Sequence, residues 1–299
     1  MTVRAPLRPH RRPLTDDVLY DRVAEAAAAA VIRTYSSSFG LACTMLRQPV
    51  RDHVRNVYAL VRLADEVVDR PLGVSDSGRA GALLDGLERD TMEALHDGYS
   101  TNLVVHAFAN TARRCGIGGD LIAPFFASMR TDLTVQDHDA ASFERYVYGS
   151  AEVVGLMCLR IFLAADADGG EGRYQELAPG ARRLGAAFQK VNFLRDLGDD
   201  HHERDRRYFP GVDPDRLTEG DKRRILDDID GDLAVAATAI ERLPDSSRRA
   251  VAAAYAIFAE LAARLRATPA ESVLQDRVRV PGATKLRLAV GAVVRKGRA

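Results

Sequence analysis

Asp65 and Asp69 stand one helical turn apart in VRNVYALVRLADEVVDR, a run whose Val, Leu and Ala content suits a buried helix. Tyr58 and Arg62 precede them at offsets that put all four side chains on one face. A second run, GAAFQKVNFLRDLGDD, repeats the pattern, with Gln189, Asn192, Asp196 and Asp200 sharing a face. Each acidic pair falls near the C-terminal end of its predicted helix. There it meets the negative end of the helix dipole, and like charges at i, i+4 repel. Burying such carboxylates unpaired costs several kcal/mol or drives their pKa values up. A divalent cation removes the conflict. Mg²⁺ prefers carboxylate oxygen and keeps waters, and it binds one or two carboxylates together with phosphate groups; Mn²⁺ is the alternative ion. Arg62 and Arg195 add guanidinium groups that can pair with phosphate oxygens. A lone DxxxD is usually a solvated helix face. Two of them, each with amide or cationic partners and apolar neighbours, point to a site for metal ions and a diphosphate.

The elements that must hold these stripes are helical throughout. Ala, Leu, Arg and Glu are abundant, apolar residues recur at three- and four-residue spacing, and no alternating strand pattern appears. The periodicity predicts helices at Leu19–Tyr35, Pro49–Val68, Ala80–His96, Leu103–Arg114, Gly119–Thr134 and Ser142–Ala165. Four more follow at Tyr174–Asp199, Glu219–Leu243, Ser246–Ala267 and Leu286–Val294. Capping residues agree, with Asp16, Asp17 and Asp139 before helical runs and Gly73, Gly98 and Gly116 after them. No break looks like a long linker. One all-α domain, 19–299, is expected after a loose basic tail at 1–18.

Whole-chain properties narrow the function class. The 299 residues carry 42 basic and 42 acidic side chains, a balance that argues against a nucleic-acid partner. Cys43, Cys115 and Cys158 form no CxxC pair, which argues against a zinc site or disulfide framework and suits a reducing cytoplasm. The apolar runs AAAAAVI and LAVGAVV are too short to span a bilayer, and the N-terminus lacks a secretory apolar core. GIGGD and DADGGEG follow no predicted strand, so a dinucleotide fingerprint is not indicated.

The chain resembles the squalene/phytoene synthase family, the head-to-head prenyl synthases of the isoprenoid-synthase fold, over roughly Thr34 to Leu286. The segments that carry the likeness are YSSSF, YALVRLADEVVD, YVYGSAEVVGLM and GAAFQKVNFLRDLGDDHHERDRRYFP. Among subgroups it is most similar to the actinobacterial phytoene synthases, through SAEV, AFQK and FFASMR. The resemblance implies a helical bundle around a central cavity, with Asp65, Asp69, Asn192, Asp196 and Asp200 holding Mg²⁺. It implies diphosphate contacts from Tyr58 and Arg62, and places Ser36 and Ser38 at the mouth of the phosphate site. Tyr146 and Gln189 would lie near the reacting carbons, and Arg277 and Lys285 would close over the diphosphates. The implied reaction joins two geranylgeranyl diphosphates to phytoene through a cyclopropyl diphosphate. Condensation of two farnesyl diphosphates, as in squalene and dehydrosqualene synthases, is the alternative. A non-catalytic scaffold of the same fold is the remote one. Lipid-soluble substrates imply a cytoplasmic protein with a peripheral contact at the inner face of the cell membrane.

Some residues depart from the family's pattern. Ser150-Ala151-Glu152 stands where VAG is commoner, Lys190-Val191 interrupts a usual QLTN, and Phe258 occupies the place of a frequent tyrosine. Opposite charge suggests that Glu152 and Lys190 pair. His201 and His202 read as part of a charged loop, from which Arg204 and Arg207 could fold over bound diphosphate. Tyr146 and Tyr148 are two apart, so at most one of them faces the reaction.

Overall fold

Helix α1 (Asp16–Tyr35) begins inside the stretch expected to be tail, and short α2 (Ser38–Thr44) follows within four residues. Next come α3 (Val50–Asp69), α4 (Ser77–Asp97), α5 (Leu103–Cys115), α6 (Gly119–Thr134), α7 (Ala140–Val147) and, after a π turn, α8 (Val153–Ala164). The chain continues through α9 (Glu171–Arg195), α10 (Glu219–Glu241), α11 (Arg248–Ala267), α12 (Ala270–Gln275) and α13 (Gly282–Val294). The structure, a computed structural model, describes residues 16–69, 77–198 and 206–294. The all-α class is as expected, and helix α6 has the expected bounds. Helices α2 and α12 were not foreseen, because six or seven residues are too few to show a helical period.

Local chemistry accounts for the ends of these elements. Asn102 caps α5 by accepting the backbone N–H groups of Val104 and Val105, and Gly116, at φ 71°, ends it in the left-handed region. Asp139 caps α7 through Ser142, and Thr218 caps α10 through Asp221. Two apolar clusters form the core. One gathers α3, α5, α6 and α8 around Phe108, Phe125 and Phe126; the other gathers α9, α10 and α11 around Phe193, Leu226 and Leu265. Helix α3 shows how the site is positioned. Its Val57, Leu60, Ala64 and Val68 are buried in the first cluster, while the stripe from Tyr58 to Asp69 faces a cavity.

The helix predicted at Ser142–Ala165 is interrupted by the π turn Tyr148–Glu152. A widened turn of this kind re-aims the side chains that follow it and recurs at functional sites. Tyr146 reaches the cavity wall just before the turn; Tyr148 does not, and instead lies under the Arg182 guanidinium, 5.1 Å from its ring centroid. The stretch Ala140–Ala164 is also long and apolar enough to cross a membrane by length and composition, contrary to the expectation that none is. In the fold 67% of its apolar window is buried inside the protein. Tyr, Gly, Ser and the charged Glu152 and Arg160 interrupt the segment, so no long unbroken apolar run marks it in the sequence.

The expected Glu152–Lys190 pair does not form. Glu152 accepts from Arg182 Nε at 2.6 Å, and Lys190 Nζ bonds Asp228 at 2.5 Å and Asp232 at 2.7 Å. Each finds a nearer partner on its own flank, Lys190 between α9 and α10, and neither lines the cavity. Close backbone approach brings α9 against the π turn and α8. A Cβ on Gly185 would lie 2.4 Å from the Ala151 carbonyl oxygen, and one on Gly155 would lie 2.4 Å from that of Ala181. Gly185→Val should therefore force the layers apart and destabilise the protein by about 1–3 kcal/mol or more, read as a lowered denaturant midpoint. An unchanged midpoint would show that the helices have room to spare.

Candidate functional site

Both acidic stripes open into one cavity of about 1010 Å³. Its mouth is polar. Tyr58, Arg62, Asp65 and Asp69 enter from α3, and Gln189, Asn192, Arg195 and Asp196 from α9; Ser36, Ser38, Arg277 and Lys285 complete the rim. Tyr146 also lines the wall of this cavity. Nearly all of the residues marked by the sequence are thus assembled in one place. Asp199, Asp200, His201, His202 and Arg204 lie outside the described residues.

Arg207 is the exception. It is exposed, and its backbone pairs with the segment before α7, donating to Gln136 O at 2.7 Å and accepting from His138 N at 3.4 Å. Extended backbone alternates its side chains, so pairing Arg207 this way turns Arg206 and Tyr208 inward instead. Arg206 is 7% exposed and donates to Asp69 at 3.0 Å and to the Val68 carbonyl at 2.9 Å. That carbonyl belongs to the last turn of α3, where helix acceptors lack partners and the dipole is negative. A buried guanidinium therefore supplies part of the charge compensation that the acidic end of α3 requires.

The electrostatics follow from this geometry. Burial in the cavity wall pushes the Asp65 carboxyl up to about 7; Asp69 pushes in the same direction and Arg62 against it. Asp132, on α6, adds a third negative charge nearby. It was not marked by the sequence, although Phe125, Met129 and Asp132 share one face of α6. On α3, Arg62 bonds Glu66 and lies over Tyr35, 4.5 Å from the ring centroid, while its Nε is buried without a partner. Across the mouth, Asp196 follows the last residue of α9 and is held by Arg195 and by Arg277, whose Nε approaches at 2.9 Å. Lys285 Nζ donates to Ser37 Oγ at 2.9 Å, and burial lowers its pKa. The mouth is thus a mixed-charge surface in which carboxylates and guanidinium groups balance one another.

Below the mouth the lining becomes apolar. Phe39, Phe188 and Phe258 form a ring cluster, with Phe188 stacked on Phe258 at 4.0 Å between centroids. Cys158 lines the wall, and burial pushes its thiol up to about 12. Helix α9 borders the cavity from Arg195 back to Leu177, about 27 Å at the α-helical rise, of which the apolar part from Phe188 to Leu177 is about 17 Å. Ser150 Oγ, on the π turn, is buried in this wall with no partner.

The donor set suits Mg²⁺: hard carboxylate oxygens, an asparagine amide and a poorly solvated carboxyl that gains from a neighbouring cation. Among the described residues no three His, Cys, Asp or Glu side chains close into a metal cluster. An ion held by one or two carboxylates and completed by water and phosphate needs no such cluster.

The chain also matches known proteins. A family model described as squalene/phytoene synthase covers residues 32–284. A 15-cis-phytoene synthase from Paracoccus sp. is 28% identical over 85% of each chain, and a phytoene synthase from Mycobacterium tuberculosis is 29% identical over 88% of each. The fold is similar to a crystal structure of a dehydrosqualene synthase in complex with ligand, with a TM-score of 0.78 at 22% identity, covering 93% of this chain and 98% of that one. On the extent of the family match and on the shared fold, the chain belongs to the squalene/phytoene synthase family.

Proposed function

We propose that the protein is a Mg²⁺-dependent prenyltransferase that condenses two geranylgeranyl diphosphates head to head, giving phytoene through a cyclopropyl (prephytoene) diphosphate. The observation that carries this reading is the cavity itself, with a charged mouth built to take diphosphates above an apolar shaft that follows α9 from Phe188 to Leu177, about 17 Å. An extended geranylgeranyl chain spans roughly 20 Å and a farnesyl chain roughly 15 Å, at C–C bonds of about 1.5 Å in zigzag. The shaft exceeds a farnesyl tail, and mouth and shaft together, about 27 Å along α9, take a geranylgeranyl tail with its diphosphate.

Mg²⁺, or Mn²⁺ in its place, supplies Lewis-acid stabilisation of the departing diphosphate when bound. Asp65, Asp69, Asn192 and Asp196, with Asp200, would hold it. Arg62, with its free Nε, Arg195, Arg277 and Lys285 neutralise phosphate oxygens, and Ser36, Ser38 and Tyr58 donate hydroxyl hydrogens to them. The first diphosphate leaves with its bonding electron pair. The double bond of the second substrate attacks the resulting allylic cation, and proton loss closes the cyclopropane ring. A second ionisation, rearrangement and proton loss then create the central triene. Tyr146 and Gln189 orient the reacting carbons, while the apolar shaft excludes water that would quench a cation as an alcohol. Aromatic faces such as Phe188 lie along the wall where passing positive charge gains from them.

The alternative, a dehydrosqualene- or squalene-forming reaction on two farnesyl diphosphates, draws support from the likeness to a dehydrosqualene synthase structure. Incubating the protein with Mg²⁺ and either substrate, without nicotinamide, and weighing the extracted hydrocarbon decides between them. Phytoene from the longer substrate is expected, lost with EDTA and restored by Mg²⁺. A thirty-carbon product alone would overturn the chain length, and no product from either substrate would favour a non-catalytic scaffold.

A further inference from the structure

We propose that Asp132 is a positioning residue, which through one carboxylate sets both Tyr146 and, by way of Arg206, the metal-binding Asp69. The inference rests on the proposed reaction and adds a third acidic helix to it. Asp132 comes from α6, outside both acidic stripes, and its side chain is only 6% exposed. Both of its oxygens accept from the Tyr146 hydroxyl, at 2.8 and 2.9 Å. Arg206 Nε lies 3.9 Å from the same carboxylate, and the other end of that guanidinium reaches Asp69 at 3.0 Å and Tyr208 Oη at 3.3 Å. Tyr208 in turn stacks on Phe193 at 3.9 Å between centroids, so the arginine is held on several sides. Asp132, Tyr146, Arg206 and Tyr208 all line the cavity beside Asp65 and Asp69.

The charge arrangement gives this network a function beyond packing. Arg206 neutralises the acidic end of α3, yet a guanidinium shared with no other acid would hold Asp69 as a closed ion pair and compete with any cation for it. Asp132 takes part of that charge and so weakens the arginine's hold on Asp69. The same carboxylate fixes the Tyr146 hydroxyl in one direction, because its only described hydrogen-bond partners are those two oxygens. Both effects require an anion on α6; a neutral residue of equal shape would keep the packing and lose them.

The test combines kinetics with direct ion binding. Asp132→Asn is expected to lower kcat about 10- to 100-fold with KM for the prenyl diphosphate changed by less than about threefold. Paired with Tyr146→Phe, it should cost no more than the larger single loss, since both changes break one contact. Independently, Mn²⁺ binding in the presence of inorganic diphosphate, followed by electron paramagnetic resonance, should weaken about tenfold in Asp132→Asn. Additive losses in the cycle, or unchanged Mn²⁺ binding, would overturn the assignment. If Asp132→Asn does not fold, Asp132→Glu keeps the charge but displaces both partners, and the same cycle and titration are read on it. Should the wild type make no hydrocarbon, the proposed reaction fails while the Mn²⁺ titration still reads the link from Asp132 to Asp69.

Discussion

Replacing Asp65 by Asn is expected to lower turnover by about 100-fold or more, the scale of losing one preorganised charge-stabilising group, and also to make the metal-free protein harder to melt. The second half follows from the direction of the Asp65 shift. Its carboxyl rises from an ordinary 3.8 to about 7 in the fold, first through burial and then through Asp69. Between those values the folded chain binds more protons than the unfolded chain, so stability falls as pH rises through the window. Above it the ionised side chain is a standing cost. Asparagine removes that cost, so the variant should melt higher than the wild type at about pH 8, and the gap should close toward about pH 4. Saturating Mg²⁺ should raise the wild-type melting temperature and not that of the variant. Calorimetric melts across this range check the prediction. A variant less stable than the wild type at high pH would mean that Asp65 is satisfied by the protein alone, and the case for a cation beside it would fall. Stability given up at a site for the sake of function is a common trade.

Cys158→Phe should change which substrate the protein accepts. The residue faces the shaft twelve positions beyond Tyr146, roughly 18 Å further along at the α-helical rise, through a segment that includes the π turn. A phenyl ring there occupies the depth that a geranylgeranyl tail needs and a farnesyl tail does not. The expected result is a loss of about tenfold or more in kcat/KM for the longer substrate, with the shorter one affected less than about threefold. Competition between the two substrates, with products separated by mass, measures the ratio directly. Equal losses for both would place the tails elsewhere. An overpacked core could lower both rates, so a melting curve belongs with the kinetics.

The chemistry at the mouth was legible in the sequence because it is carried by single helices. One α-helical period fixes which residues share a face, so Tyr58, Arg62, Asp65 and Asp69 had to appear together, and so did Gln189, Asn192 and Asp196. The conflict between carboxylates and a helix C-terminus is likewise local, and it pointed to a cation before any fold was considered. The all-α class followed for the same reason, since periodicity over long helices needs no partner to be read.

What only the tertiary structure decided are the relations between elements. Asp132 was one of two acids on α6 until that helix lay against α7, and Arg206 was one arginine among several until a single bridged pair turned it inward and Arg207 outward. Glu152 and Lys190 found partners that opposite charge alone could not select, because distance in the chain says nothing of distance across α8, α9 and α10. The π turn after Tyr146 left no mark in a window that averages over several turns. Cavity depth is a property of the space enclosed by many helices, and no single segment encodes it. Local pattern determined which groups are available for chemistry here; packing determined which of them meet.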